Sequence, residues 1–387
     1  MVSNKPMRLK RTRRWQTHFC LAIILIAALG CSSRKARVAA PDSGAWIEEF
    51  VRQGCYDCLL DARRAYEQLS THAAAALSRV FEMDLLLALR EKELSIDPTA
   101  TLTHAESLVP RLATLSASAK ATADQPADRM LAIVKVIPED AGGRRLLPAT
   151  KESGEQLESM LAAIDASPFS AEFKSYMKLS VQCGLPSLVP SFGAPGRVAP
   201  AAAPADDVPL LTYRRAICGN PVRVDALTTV RSAVPRFVEA SFFLGRAAMG
   251  TLFRTDGTQA RTLFEQAYAR FSNSPTIAFD LGTVYQATNE CRPAETLFTR
   301  VLELRPTHED ARLGRTVCRT YLSQNVAAIT DATVLIDARA ANRAEAYYWR
   351  AWNRRYLKQI ELARADIDQA RALRFNARVL TLAGQIE

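Results

Sequence analysis

The fold of this chain is decided by residues 275–308, PTIAFDLGTVYQATNECRPAETLFTRVLELRPTH. In the first half of this stretch, small and apolar residues recur three, four and seven positions apart, which is the spacing of one helical face. These residues are Ala278, Leu281, Gly282 and Tyr285. The second half shows the same spacing at Ala294, Phe298 and Val301. Pro306 ends the stretch because proline cannot continue a helix. The pattern predicts two short helices folded against each other, with Gly282 where they approach most closely.

This stretch resembles a tetratricopeptide repeat, a pair of helices that occupies about 34 residues. The positions that match the pattern of the repeat are Leu281, Gly282, Tyr285, Ala294, Phe298 and Pro306. The chain departs from the pattern at Ala278, where the family often has Trp, and at Val301, where it usually has Ala. The resemblance implies a stack of helical hairpins that binds partners, and it leaves the kind of partner open.

Three more helix pairs of this kind are predicted around the central pair, and together they form an array. They cover residues 240–271, 311–338 and 344–373. In the third pair we interpret Gly314 as the equivalent of Gly282, and in the fourth pair Ala351 takes the place of the glycine. A closing helix is expected over 375–386, because such stacks must cover their last exposed face.

The rest of the chain is also helical in pattern, apart from one segment that is rich in proline and alanine. The predicted fold class is therefore all-α. A degenerate helical array of the tetratricopeptide type is joined by a linker to the C-terminal tetratricopeptide array. The predicted boundaries are 45–183 for the N-terminal array, 184–209 for the linker and 210–387 for the C-terminal array.

Residues 1–30 have the order of an export signal, with a basic start, a short apolar run and small residues before a cysteine. The apolar run, 19–29, is shorter than the about 20 residues that cross a bilayer. The sequence around Cys31 resembles the lipobox of bacterial lipoproteins, which implies cleavage before this cysteine and attachment of a lipid such as palmitate to it. An ordinary signal peptide, or an N-terminal membrane anchor that ends in cysteine, is the alternative.

The lipobox resemblance also predicts a location for the protein. A lipid on Cys31 would anchor the exported chain to the membrane of the bacterial cell envelope. Ser32, in place of Asp, predicts release to the outer membrane, with the chain facing the periplasm. Residues 31–44 are polar, basic and proline-containing, which is typical of a flexible tether between the lipid and the folded part.

The composition argues against nucleic-acid binding, and the motifs argue against catalysis. The formal net charge is +10, but six basic residues and no acidic residue lie in 1–30, so the remainder is close to balance. No GxSxG, HExxH or phosphate-loop pattern occurs, and the histidines lie at no spacing typical of metal ligands. The sequence predicts no enzymatic activity, no cofactor and no metal site, although a pair of catalytic carboxylates would leave no recognisable pattern.

Six cysteines remain outside the signal and the lipobox, and an even number in an exported chain allows disulfides. Cys183 and Cys218 flank the linker and are one predicted pair, and Cys291 with Cys318 is the other. The remaining two, Cys55 and Cys58, form a CxxC motif. No strand precedes it, so two small core residues on a helix, oxidised or reduced, are favoured over a thioredoxin-like redox site.

In the family that the chain resembles, the first helix of each pair lines the binding groove. That resemblance assigns ten residues to the groove: Phe242, Arg246, Phe279, Gln286, Arg315, Arg319, Tyr348, Trp352, Arg355 and Tyr356. Arginine pairs with carboxylates and aromatic rings supply apolar area, so the expected ligand is an extended, acidic segment of a protein or peptide. The alternative for several of the aromatic residues is packing between helices.

Two functions are open on this reasoning. The first is a non-catalytic scaffold or adaptor of the cell envelope that binds another protein or a peptide. The second is a surface lipoprotein that binds a small molecule, such as a glycan or a peptide nutrient, in the cleft between the two arrays.

Overall fold

The computed structural model describes residues 44–70, 74–115, 126–138, 151–184, 208–219, 222–249, 257–373 and 381–382. These ranges contain seventeen α-helices and no strand. The nine helices of the first part are α1 Ala45–Gln53, α2 Tyr56–Ser70, α3 Ala74–Glu93, α4 Thr99–Leu115, α5 Pro126–Val136, α6 Lys151–Ala166, α7 Ala171–Gly184, α8 Pro209–Cys218 and α9 Val224–Ala233. The eight helices of the second part are α10 Glu239–Met249, α11 Thr258–Arg270, α12 Pro275–Ala287, α13 Cys291–Leu304, α14 Glu309–Tyr321, α15 Asn325–Asp337, α16 Arg343–Tyr356 and α17 Ile360–Ala372.

Helices α10 to α17 form four consecutive pairs, and each pair packs on the next. The first helices of neighbouring pairs also touch, which gives the array its stacked order. The central pair begins where the sequence predicts, because Ser274 accepts a hydrogen bond from the backbone N–H of Ile277 and Pro275 opens the helix. The predicted fold class, an all-α solenoid of helical hairpins, is confirmed for the described residues.

The glycines of these pairs lie where aromatic rings press against the backbone. A Cβ atom at Gly282 would stand 2.9 Å from a ring atom of Phe298 on the partner helix, as the sequence predicts. At Gly245 a Cβ atom would stand 3.0 Å from the ring of Phe264. Gly314 differs, because its Cβ would stand 2.7 Å from Phe298, which belongs to the preceding pair. At Gly314 the absence of a side chain therefore lets two successive pairs approach.

The first part of the chain is built around α3. This helix contacts α2, α4, α5 and α7, and every residue from 80 to 96 is buried. The buried stretch includes the charged sequence 90–93, Arg-Glu-Lys-Glu, although these residue types usually lie on the surface. Lys92 donates to three backbone carbonyls at the end of α5. Glu93 accepts hydrogen bonds from Tyr176 at 2.6 Å and from Arg214 at 2.8 Å, so these charges are paired inside the core.

Residues of both predicted arrays lie together in two of the hydrophobic clusters. Arg90 of α3 donates to the carbonyl oxygen of Gly54 at 2.8 Å, and its guanidinium carbon lies 3.8 Å from the ring centroid of Tyr213 in α8. The backbone N–H of Tyr56 donates to Glu239 of α10 at 2.7 Å. Residues 44–387 form one compact unit. The boundaries drawn from the sequence stay predictions, but helices on both sides of the predicted linker pack as one body.

Two disulfides lie in the described residues. Cys183 and Cys218 are joined, with their Cα atoms 5.4 Å apart, so the bond links α7 to α8. Cys55 and Cys58 are also joined, and neither is exposed. A disulfide without exposed sulfur cannot meet a partner thiol, and the buried position agrees with core residues rather than with a redox site.

Cys291 and Cys318 are neighbours but are not joined. Both thiols are buried, and burial raises the pKa of the Cys318 thiol far above its usual range, with a hydrogen bond to Cys291 acting in the same direction. Because the thiolate is the reactive form, a thiol with so high a pKa is slow to oxidise. The structure therefore corrects the predicted disulfide between these two residues to a pair of buried thiols.

Several predictions fall on residues outside the described ranges. These are the signal peptide 1–30, the lipid site Cys31, most of the tether 31–44, most of the linker 184–209 and most of the closing helix 375–386. In the part of the chain that the structure describes, no helix is both long enough and apolar enough to cross a membrane.

Candidate functional site

The arginines assigned to the groove on α14 are turned towards the second helices of the stack. Arg315 donates to both carboxylate oxygens of Asp331, at 2.8 and 2.7 Å, and Arg319 donates to the same carboxylate at 2.8 Å. Arg319 also donates to Glu295 at 3.0 Å, and Arg315 reaches Thr299 at 3.3 Å. These guanidinium groups are largely buried and fully engaged. The prediction that they wait in the groove for an acidic ligand is therefore corrected.

The same arrangement recurs in the next helix pair. Arg350 donates to both oxygens of Asp366 at 3.0 and 2.7 Å, and Arg354 donates to the same carboxylate at 2.7 Å. We call each set, Arg315, Arg319 and Asp331 or Arg350, Arg354 and Asp366, an arginine clamp. Each clamp ties the first helix of a pair to its second helix by charge-assisted hydrogen bonds. The clamps therefore hold the two helices of each pair together in the free chain.

The groove residues of the first two pairs are also engaged in packing. Phe242 is fully buried, with its ring centroid 4.9 Å from that of Phe243. Its burial excludes it from a groove surface. Arg246 donates to Asp280 of α12 at 2.6 Å and lies over the Phe242 ring. Phe279 and Gln286 are half-buried, and Phe279 packs against Phe298 at 6.0 Å and against His308. For the two aromatic residues, Phe242 and Phe279, the alternative of packing between helices describes what the structure shows.

The last two pairs do form an open site, at the C-terminal ends of α14 and α16. A cavity of about 340 Å³ is lined by Thr320, Tyr321, Ser323, Asn325, Tyr348, Trp349, Trp352 and Tyr356. We call it the aromatic cleft. Three of its residues, Tyr348, Trp352 and Tyr356, are among those assigned to the groove from the sequence. The other five were missed, although Tyr321 ends its helix as Tyr356 does.

The rings of the cleft form a connected series. Tyr348, Trp352 and Tyr356 follow one another at every fourth position of α16, so they share a helical face. Their centroids are 6.2 Å apart for the first step and 6.0 Å for the second. Trp349 completes the floor, 5.0 Å from Tyr348 and 6.0 Å from Tyr321 on the facing helix.

The cleft has a buried floor and exposed rings at its rim. Tyr348 and Trp349 are nearly buried, whereas Tyr321 and Tyr356 are 68% and 58% exposed. The floor is fixed by the buried Asn353, whose amide donates to Thr320 and to the carbonyl of Trp349, both at 2.7 Å. Large exposed rings on a fixed floor are typical of a surface that binds a partner.

The eight lining residues carry no charge. Thr320 is already occupied, since it accepts from Asn353 and donates to the carbonyl of Thr316. The predicted groove residue Arg355 is not among the lining residues, and its guanidinium carbon lies 5.7 Å from the outer ring of Tyr356. The cleft therefore offers aromatic area and uncharged polar groups to a ligand.

A larger cavity, of about 870 Å³, lies among α1, α2, α3 and the start of α7. We call it the Arg79 cavity. One wall is apolar and includes Leu69, Pro168 and Phe169. On the other wall, Arg79 bonds to both Glu48 and Glu82. The cleft that the sequence predicts between the two arrays is instead filled by side chains around Arg90, so we consider the Arg79 cavity as a site for the second predicted function.

The polar groups of the Arg79 cavity are bonded to one another. Glu82 is 2% exposed and accepts from the backbone N–H and the hydroxyl of Ser170, at 3.1 and 2.6 Å. Burial raises the pKa of the Glu82 carboxyl, and Arg79 opposes this shift. Burial and the hydrogen bond to Glu48 raise the pKa of Tyr66 to about 12. Glu48, Tyr66 and Glu82 are therefore already bonded within the protein, whereas Nε of Arg79 is buried without a hydrogen-bond partner.

A third polar cluster has no cavity of its own among those described above. Asp84 of α3 is fully buried, 2.7 Å from Nε of Arg63 and 2.6 Å from Nδ1 of His104. Burial raises the pKa of the Asp84 carboxyl to about 6, although Arg63 and His104 favour its charged form. Among the described residues, no group of His, Cys, Asp and Glu side chains is arranged to hold a metal ion. We assign this cluster to the packing of α2 and α4 on α3.

Comparison with known proteins gives structural likeness only. No protein-family model matches the chain, and no curated protein sequence matches it. Similar solved structures include a tetratricopeptide repeat protein from Parabacteroides merdae, with 12% identity over 77% of this chain and 96% of that chain and a TM-score of 0.31. Yeast Tom70 is another, with 10% identity over 92% of this chain and a TM-score of 0.33. The match spans 66% of the Tom70 chain.

Proposed function

We propose that the chain is a non-catalytic scaffold that binds an extended segment of a partner protein in the aromatic cleft. One observation carries the proposal: Tyr321 and Tyr356 expose most of their surface above a fixed floor of Tyr348 and Trp349. Burying such rings is favourable, at about 25 cal/mol for each Å² of apolar area removed from water. Because these rings are exposed in the free chain, this favourable free energy becomes available when a partner covers them.

The cleft suits a chain segment better than a folded surface. It is a concave site of about 340 Å³ that lies between the ends of two helices. An extended peptide can enter such a cleft and present side chains to successive rings, whereas a flat surface would meet only the exposed Tyr321 and Tyr356. The arginine clamps take no part, so the proposed ligand is not the acidic segment that the sequence suggested.

We propose further that the chain works as a lipoprotein of the bacterial envelope, anchored through Cys31. The support is the sequence of residues 1–33, with its basic start, short apolar run and small residues before the cysteine. On this proposal the partner belongs to the envelope, and the scaffold faces the periplasm from the outer membrane.

Site-specific photo-cross-linking tests the proposed site. A benzophenone amino acid is placed in living cells at Tyr321 or Tyr356, and at Trp46 as a matched control. Trp46 is an aromatic residue of α1 that is 49% exposed and lies outside the cleft. We expect a discrete cross-linked protein from the two cleft positions, none from Trp46, and loss of the product when Trp352→Ala is added. Equal products from all three positions would contradict the proposal.

The Arg79 cavity supports a second candidate function, the binding of a small molecule. Its volume lies in the range of about 300–1,000 Å³ that is typical of ligand pockets, and it combines an apolar wall with a charged one. Glu48, Glu82 and Glu172 outnumber Arg79 there, which favours an amine with an apolar body. The test is thermal denaturation with 2-phenylethylamine, with 2-phenylethanol as the neutral control. A higher melting temperature with the amine alone, lost in Glu172→Gln, would support this function, and no difference would exclude an amine site.

A further inference from the structure

We infer that the segment which binds in the aromatic cleft is uncharged and rich in proline, in the polyproline II conformation. This inference rests on the proposed function and names the chemical class of its ligand. It follows from three properties of the cleft: the absence of charge in its lining, the spacing of its rings and the engagement of two of its polar groups within the protein.

The lining selects against charged ligands. A charged side chain that enters the cleft loses water, and none of the eight lining residues can pair with it. The arginines that would have attracted carboxylates, Arg315 and Arg319, are held by Asp331. A neutral ligand loses little hydration in the same position.

The spacing of the rings fits a polyproline II segment. Such a helix advances about 3.1 Å per residue, so two residues cover one step of the series Tyr348, Trp352 and Tyr356, whose steps are 6.2 and 6.0 Å. The full series therefore spans about four residues of the ligand. Proline rings are rigid and apolar and pack on aromatic faces, and aromatic-lined grooves are one established mode of binding such segments. Because the segment is extended before it binds, little conformational entropy is lost.

A sugar is the other neutral ligand that stacks on Trp and Tyr, and it is disfavoured because two polar groups of the lining already bond within the protein. Each sugar hydroxyl that leaves water needs a hydrogen-bond partner. The hydroxyl of Thr320 is occupied within the protein, and the indole N–H of Trp349 donates to Glu345 at 3.3 Å. A proline-rich segment has only backbone carbonyls to satisfy, and its prolines have no backbone N–H.

The test is a titration of the purified full chain with synthetic peptides, followed by tryptophan fluorescence and by calorimetry. The probe is an octaproline peptide with neutral ends. The comparison ligands are a peptide of equal length made of alanine and serine, an oligoglutamate of equal length, and maltohexaose. The variants are Trp352→Ala, Tyr321→Ala, Tyr356→Ala and the control Trp46→Ala. Tyr321 and Tyr356 are so exposed that their variants should fold even if Trp352→Ala does not.

We expect octaproline to bind at least about tenfold more tightly than the three comparison ligands, because an aromatic anchor at the centre of an interface is commonly worth a factor of this size. Its affinity should fall about tenfold in Trp352→Ala and severalfold in the two tyrosine variants, and should be unchanged in Trp46→Ala. If the alanine–serine or the glutamate peptide binds the cleft more tightly than octaproline does, this inference is overturned while the proposed function stands. Binding of maltohexaose alone would overturn both.

Discussion

The Asp331 clamp should be a main stabilising contact of the third helix pair, and Asp331→Asn should lower the melting temperature. Asp331 is 3% exposed, and its two oxygens accept three N–H bonds from Arg315 and Arg319 at 2.7–2.8 Å. The substitution leaves two guanidinium groups without this counter-ion, with side chains only 14% and 18% exposed. Such groups cannot regain full hydration without opening the pair.

The size of the effect follows from the burial of the clamp. Removing one partner of a buried charged cluster costs about 3–5 kcal/mol. Water reaches part of each guanidinium group in this clamp, and Glu295 still accepts from Arg319, so we expect the lower end, about 3 kcal/mol. In a chain of this size 1 kcal/mol shifts the melting temperature by about 2 °C, which gives a decrease of about 6 °C.

The assay is thermal unfolding followed by far-ultraviolet circular dichroism. Asp366→Asn, in the second clamp, should behave like Asp331→Asn. Asp368→Asn is the matched control, because Asp368 is on α17 with Asp366 and its side chain is 70% exposed. If Asp331→Asn and Arg315→Ala unfold at the temperature of the control and instead lose partner binding, the clamp serves the ligand and this reasoning is wrong.

Three further predictions concern packing, pH and the anchor. Gly282→Leu should lower the free energy of unfolding by about 1–3 kcal/mol, because the new side chain meets Phe298. Gly44→Leu should not change it, because no atom lies within 4 Å of a Cβ at Gly44. Equal melting temperatures for the two variants would refute the packing at Gly282. Burial raises the pKa of Glu239 from 4.5 to about 7, so the folded state binds more protons between these values and stability falls as the pH rises through them. Glu239→Gln should flatten this dependence in denaturant unfolding, and an unchanged slope would argue against it. Cys31→Ser should abolish incorporation of labelled palmitate, and equal labelling of both proteins would exclude the lipid anchor.

The helical pairs could be predicted from the sequence because the residues that define each pair lie close together along the chain. The face that carries Leu281 and Tyr285, the turn after it and the proline at 306 lie within one short stretch, and Gly282 meets Phe298 as expected. Gly314 shows the limit of this reasoning. A helical period tells which residues share a face, but not whether that face meets its own partner helix or the preceding pair.

The site was harder to predict because it depends on contacts between distant residues. Arginine is rarely buried without a partner, which made a groove position reasonable for Arg315. Its partner, Asp331, comes close only when the turn folds α15 back on α14. A signal for the clamp was present, since Arg350 and Asp366 repeat the same spacing in the next pair. The buried charges at 90–93 left no such signal, because their partners come from helices on both sides of the predicted linker.

Hydrogen exchange of the chain with and without its cross-linked partner shows whether the partner binds in the aromatic cleft. If the partner binds in the aromatic cleft, amide protection should increase within residues 309–325 and 343–357, which include the lining residues on α14 and α16. Exchange in α1, α2 and α3 should stay unchanged. Increased protection confined to those three helices, around the Arg79 cavity, would contradict binding in the aromatic cleft and move the binding site to the first part of the chain.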